Sequence, residues 1–104
     1  MQSTQKMKFE LLFTDSAKKQ MQELMDQNDK TSIFKAVAKV LGFMEIDLRH
    51  PSLNTHKYNA IEGPNGEEVF ESYAQNRTPG AYRIFWYYGP GKRKITILEI
   101  CSHP

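Results

Sequence analysis

The chain has 104 residues, 39% hydrophobic and 25% charged, which fits one small folded domain and excludes a disordered or fibrous protein. Its net charge of +2 is too small to mark a nucleic-acid binder, and its one cysteine, Cys101, excludes an internal disulfide framework and a cysteine-based zinc site. No signal-peptide h-region and no run of membrane-spanning length occurs, so a domain over residues 7–104 in a reducing cytoplasm is expected, after a polar tail over residues 1–6.

The first apolar run, MKFELLF, is short and reads as a strand. Thr14, Asp15 and Ser16 then supply helix N-cap candidates. In AKKQMQELMDQN, Ala17, Met21, Leu24 and Met25 recur at spacings of three and four, the apolar face of an amphipathic helix. Asn28 and Asp29 break it. Thr31 and Ser32 are placed to cap a second helix, in which Ile33, Val37, Val40, Leu41 and Met44 form one stripe. Two helices joined by a short polar turn predict a helical hairpin.

RHPSLNTHKYN carries Pro51, Ser52 and Asn54 and reads as a loop. Three strands follow, EEVFESYAQ, AYRIFWYY and ITILEICS, separated by the turns NRTPG and GPGKRK. The expected fold class is therefore α+β, in the order β-α-α-β-β-β. An antiparallel sheet would rest one face on the N-terminal helical hairpin and leave the other free.

Side chains alternate across a strand, so Val69, Glu71 and Tyr73 share one face. Arg83, Phe85 and Tyr87 lie opposite Tyr82, Ile84, Trp86 and Tyr88. On the last strand, strict alternation puts Ile95, Ile97, Glu99, Cys101 and His103 on one face and Thr96, Leu98, Ile100 and Ser102 on the other. A hairpin brings the start of one strand beside the end of the next, so Arg83 and the region of Cys101 and His103 are expected to be neighbours. Strand register decides whether they share a face.

From Ser72 onward, Arg77, Arg83, Lys92, Arg93 and Lys94 stand against one acid, Glu99, while His50 and His56 share a loop with Arg49 and Lys57. Arg77, Arg83, His56, Lys57 and His103 are thus candidates to converge beside the sheet. An arginine fork holds a phosphate at two points. A histidine, with an ordinary pKa of about 6.5, exchanges protons near neutrality, and aromatic rings stack bases. These parts suit attack of a 2′-hydroxyl on the adjacent phosphate, with no metal motif in the sequence. A structural reading stands beside this one. Arg83 pairs with Glu71 or Glu99 across the sheet, His103 is solvated, and the aromatics are core.

Several local patterns resemble the RelE/ParE superfamily of toxins from bacterial type II toxin–antitoxin pairs. They are the first strand ending in FTDSAKKQMQEL, the HPSLNTHKYNAIEG segment, and AYRIFWYY followed by ITILEICSHP, in which an aromatic–arginine pair precedes a hairpin and an apolar strand ending in histidine. The resemblance implies a toxin bound by a cognate antitoxin in a hetero-oligomer and needing no cofactor. It further implies ribosome-dependent mRNA cleavage, with Arg83 and His103 catalytic. Arg77, His56 and Lys57 would hold the RNA backbone and Tyr73 or Tyr87 would stack a base. Relatives of the same fold poison DNA gyrase without cutting RNA, and a non-toxic binding module is a third possibility, so the resemblance leaves the target open. The sequence departs from members that carry paired lysines on the second strand, where it has Val-Phe-Glu-Ser-Tyr.

Overall fold

The computed structural model describes residues 8–102; the expected tail over residues 1–6 and His103 lie outside the described residues. Strand β1 (Glu10–Phe13) leads into helix α1 (Asp15–Asp26), and after a single 3₁₀ turn (Asn28–Lys30) helix α2 (Thr31–Ile46) follows. A second 3₁₀ turn (Pro51–Leu53) precedes strands β2 (His56–Glu62), β3 (Glu68–Tyr73), β4 (Tyr82–Tyr88) and β5 (Lys94–Ser102). The fold is α+β, two helices on a five-stranded sheet ordered β1-β5-β4-β3-β2. Among the described residues no helix is long and apolar enough to cross a membrane.

Two features differ from the sequence expectation. β2 is an additional strand in the segment read as a loop. It lies at the sheet edge with six of its seven residues exposed, so it shows no apolar alternation. The sheet is also not wholly antiparallel, since β1 pairs parallel to β5, from Glu10 with Lys94 to Phe13 with Ile97. The chain between these two strands runs through both helices and then β2, β3 and β4, which meets the long connection that parallel neighbours require.

Ala17 and Leu24 of α1 and Val37, Val40, Leu41 and Met44 of α2 bury against Ile84, Trp86, Ile95, Ile97 and Ile100 of the sheet. Met25, expected in the α1 stripe, is 58% exposed. It sits about 100° beyond Leu24 around the helix and points past the sheet. Thr14 caps α1, accepting from the Ala17 N–H at 3.1 Å. Thr31 is instead the first residue of α2, and its hydroxyl donates to the Asn28 carbonyl.

The aromatics of β4 divide by face. Trp86 is buried among the apolar residues, stacks with Phe70 at 5.0 Å, and donates its indole N–H to Ser72 Oγ at 2.9 Å. Ser72 Oγ also lies 2.7 Å from Thr55 Oγ1, which ties the start of β2 to the core.

A bulge in β5 breaks strict alternation. Phe85 pairs with Glu99 but Trp86 with Ile97, so Leu98 is the extra residue. The half-turn it introduces lets Ile95, Ile97 and Ile100 all reach the core, although strict alternation places Ile100 opposite the other two. Thr14 Oγ1 donates to the Leu98 carbonyl at 2.7 Å, fixing the bulge. Beyond it, Gln20 replaces a neighbouring strand: its Oε1 accepts from the Ile100 N–H at 2.6 Å and its Nε2 donates to Glu99 at 2.8 Å. Glu99 and Cys101 are thereby set opposite Phe85 and Arg83, on the face turned away from the helices.

Candidate functional site

On that face a charged chain crosses three strands. Register pairs His56 with Glu71, Tyr73 with Arg83, and Arg83 with Cys101, so these side chains emerge on one side. Glu71 is 1% exposed and bridges a histidine and an arginine. Its Oε1 lies 2.7 Å from His56 Nε2, and its Oε2 lies 3.6 Å from Arg83 Nε.

Arg83 is 8% exposed. One terminal nitrogen donates to the Gln75 carbonyl at 2.7 Å and to the Tyr82 carbonyl at 3.3 Å. Its guanidinium carbon lies 3.6 Å from the centre of the Tyr73 ring, in cation–π contact. Its Nε is buried without a hydrogen-bond partner. Facing Glu71 across 3.6 Å, it feels the charge but makes no hydrogen bond.

His56 is half-exposed and is the accessible end of the chain. Its Nδ1 lies 3.2 Å from the Asn54 carbonyl, so both ring nitrogens face oxygen acceptors. A ring protonated on both nitrogens satisfies both contacts, whereas a neutral ring satisfies one. The Tyr73 ring meets it edge-on at 5.7 Å. On the far side of Arg83, burial first and then the charges of Glu99 and Glu71 push the Cys101 thiol pKa up. Among the described residues, no three of His, Cys, Asp and Glu are grouped to hold a metal ion.

The structure brings Arg83, His56 and Tyr73 together. Lys57 is not with them. It pairs with Phe70, projects to the other side of the sheet, and bonds Glu68 at 3.1 Å. Tyr87 shares the face of Arg83 but is only 7% exposed, which leaves its ring no open surface for a base. Arg77 is exposed in the turn before β4, in the left-handed region at φ 60°. His103 lies outside the described residues; Cys101, two residues before it, is the partner of Arg83. Glu71, weighed in the sequence as a partner for Arg83, is the hub. Its signal was an acid on the same strand face as Val69 and Tyr73.

No protein-family model matches the sequence, nor does any curated protein. Solved structures do match. A YoeB/ParE toxin from Agrobacterium tumefaciens superposes with TM-score 0.62 at 8% identity, over 91% of this chain and 99% of that one. The archaeal RelE–RelB complex from Pyrococcus horikoshii gives 0.61 at 13% identity, over 90% and 93%. A YoeB dimer from Staphylococcus aureus gives 0.61 at 11%, over 92% and 97%. The chain has the fold of the RelE/ParE toxins.

Proposed function

We propose that the protein is the toxin of a toxin–antitoxin pair and acts by metal-independent, ribosome-dependent cleavage of mRNA. The observation that carries this reading is the His56–Glu71–Arg83 chain, which holds an imidazole and a guanidinium on either side of one carboxylate on the open face of a toxin fold. In the proposed reaction the 2′-oxygen attacks the adjacent phosphorus, the bond from phosphorus to the 5′-oxygen breaks, and a 2′,3′-cyclic phosphate and a 5′-hydroxyl result. Arg83 stabilises the charge that gathers on the phosphate oxygens, its unfilled Nε–H donating to a phosphate oxygen in place of facing Glu71. His103 exchanges one of the two protons, and solvent supplies or removes the other. His56, held by Glu71 and Asn54, contacts the RNA backbone, and Arg77 in the turn before β4 makes a further backbone contact; Tyr73 supplies an aromatic surface. A cognate antitoxin is the proposed partner, in keeping with the neighbour solved as a RelE–RelB complex.

The burial of Arg83 favours a second reading, in which Arg83 is structural and the face binds a protein target such as DNA gyrase without chemistry. Induction in growing cells separates the two. The nuclease reading expects arrest of translation, with cut mRNA carrying cyclic phosphate ends. It also expects loss of cutting by about 10² or more in His103→Ala and in Arg83→Lys, which retains the charge opposite Glu71. Intact mRNA with impaired supercoiling would sink it.

A further inference from the structure

The clefts of the surface differ in the charge of their walls. Glu23 lines one beside α1, Glu10 and Glu45 line another between β1 and α2, and Glu62, Glu67 and Glu68 line a third at the β2–β3 turn. Two further clefts, of about 400 and 410 Å³, have no acid in their walls. They meet across the Pro51–Leu53 turn and share Asn54. One contains Arg49 and His50; the other contains Lys39 and reaches Tyr73, the ring beneath Arg83.

We propose that this acid-free track, from Arg49 and His50 over Asn54 to Lys39 and Tyr73, binds the single-stranded RNA that flanks the reacting phosphate. The inference rests on the RNA-cleavage reading and extends it to residues that take no part in the chemistry. The charge pattern selects a polyanion, since both side chains of unit charge in the walls, Lys39 and Arg49, are cations. The track is also flat and aromatic. His50 stacks on Phe43 with centroids 4.2 Å apart and planes 8° apart, and Lys39 Nζ sits 5.9 Å from the centre of the Phe43 ring. His50 Nδ1 accepts from the Ser52 N–H, which leaves the ring proton on Nε2 as a donor. Amide side chains of Asn54, Gln75 and Asn76 add donors and acceptors of the kind that meet base edges. The track adjoins the charged chain at both ends of β2's first contact, because the Asn54 carbonyl touches His56 and Tyr73 touches Arg83.

The test is fluorescence anisotropy of the full chain with a labelled, uncleavable 2′-O-methyl octanucleotide of mixed sequence. Lys39→Glu with Arg49→Glu is expected to weaken binding tenfold or more and to lower the slope against log salt by roughly 1.4, about 0.7 for each single-strand phosphate no longer neutralised. Lys18→Glu with Lys19→Glu, on the exposed face of α1, makes the same change in net charge and is expected to act far less. Equal effects of the two pairs, no binding by the unaltered chain, or equal binding of polyglutamate would overturn the proposal, the last pointing to an acidic protein segment. The two readings fail separately. Cutting lost in Arg83→Lys but unaffected binding in the Lys39 and Arg49 variant overturns the track alone. Binding through the track without any cyclic phosphate product overturns the cleavage reading alone.

Discussion

Replacing Glu71 by glutamine keeps the shape of the hub and an oxygen for His56 but removes the charge that compensates Arg83. At 3.6 Å and an effective dielectric near 20, the charge–charge attraction is about 4.6 kcal/mol before any cost of desolvation. Both side chains are buried, at 2% and 9% exposure, so water screens little of it. Leaving a buried guanidinium uncompensated costs about 3–5 kcal/mol in comparable pairs, and the lower end is expected here because Tyr73 and the Gln75 and Tyr82 carbonyls still hold the group. The half-exposed His56 arm adds less. Glu71→Gln is therefore expected to destabilise by about 3 kcal/mol, a fall in Tm of roughly 12–24 °C for a domain of this size. The assay is urea denaturation of Glu71→Gln, Arg83→Met and the double variant. Their cycle is expected to show a coupling of about 1.5 kcal/mol or more, the double variant being less destabilised than the sum of the singles. A Glu71→Gln loss below about 1 kcal/mol, or additivity within about 0.5 kcal/mol, would refute the assignment of Glu71 as the counter-charge of Arg83.

Ser72→Ala strands the buried Trp86 N–H and frees Thr55, so a loss of about 1–3 kcal/mol is expected in the same denaturation assay; a neutral result means that the indole finds another acceptor. Cys101 is expected to alkylate slowly at pH 7, because its raised pKa keeps it as the neutral thiol, and the rate should climb about tenfold per pH unit while the pH stays below that pKa. Glu99→Gln removes one of the charges that raise the pKa and should shift the whole iodoacetamide rate profile to lower pH, whereas an unmoved profile would leave burial and Glu71 as the causes.

Where one face of an element is apolar, the sequence is enough to read it. The stripe through Val37, Val40, Leu41 and Met44 marks α2, and the run from Tyr82 to Tyr88 marks β4 with Arg83 opposite Ile84. β2 is invisible because an edge strand held by backbone bonds leaves its side chains in water. The faces of β5 depart from simple alternation beyond Ile97 because a bulge shifts parity without any residue type announcing it. The bulge also governs the site. Counting by twos groups Cys101 with Ile95 and Ile97, the face that enters the core, whereas the extra residue at Leu98 delivers Cys101 to Arg83. The encounter of His56 with Glu71 depends on β2 and is equally out of reach of the sequence, although each residue stands out there by its chemistry.

The hub bears on why an arginine stands among the aromatics of β4. Burying Glu71 and Arg83 together is a poor way to hold a sheet, because a well-packed apolar pair of similar volume is often as stable or more so. The neighbouring positions on the same face show that this sheet accepts the apolar solution, since Val69 and Phe85 flank the pair and are themselves buried. The geometry of the pair is also incomplete as a structural device, with a buried Nε that forms no hydrogen bond. A sequence that breaks its own apolar pattern at one place, and leaves one strong donor unfilled there, has the signature of a site maintained for something other than stability. Arg83 thus has the character of a group that meets a ligand, and the half-exposed His56 at the other end of Glu71 marks the side from which the ligand arrives.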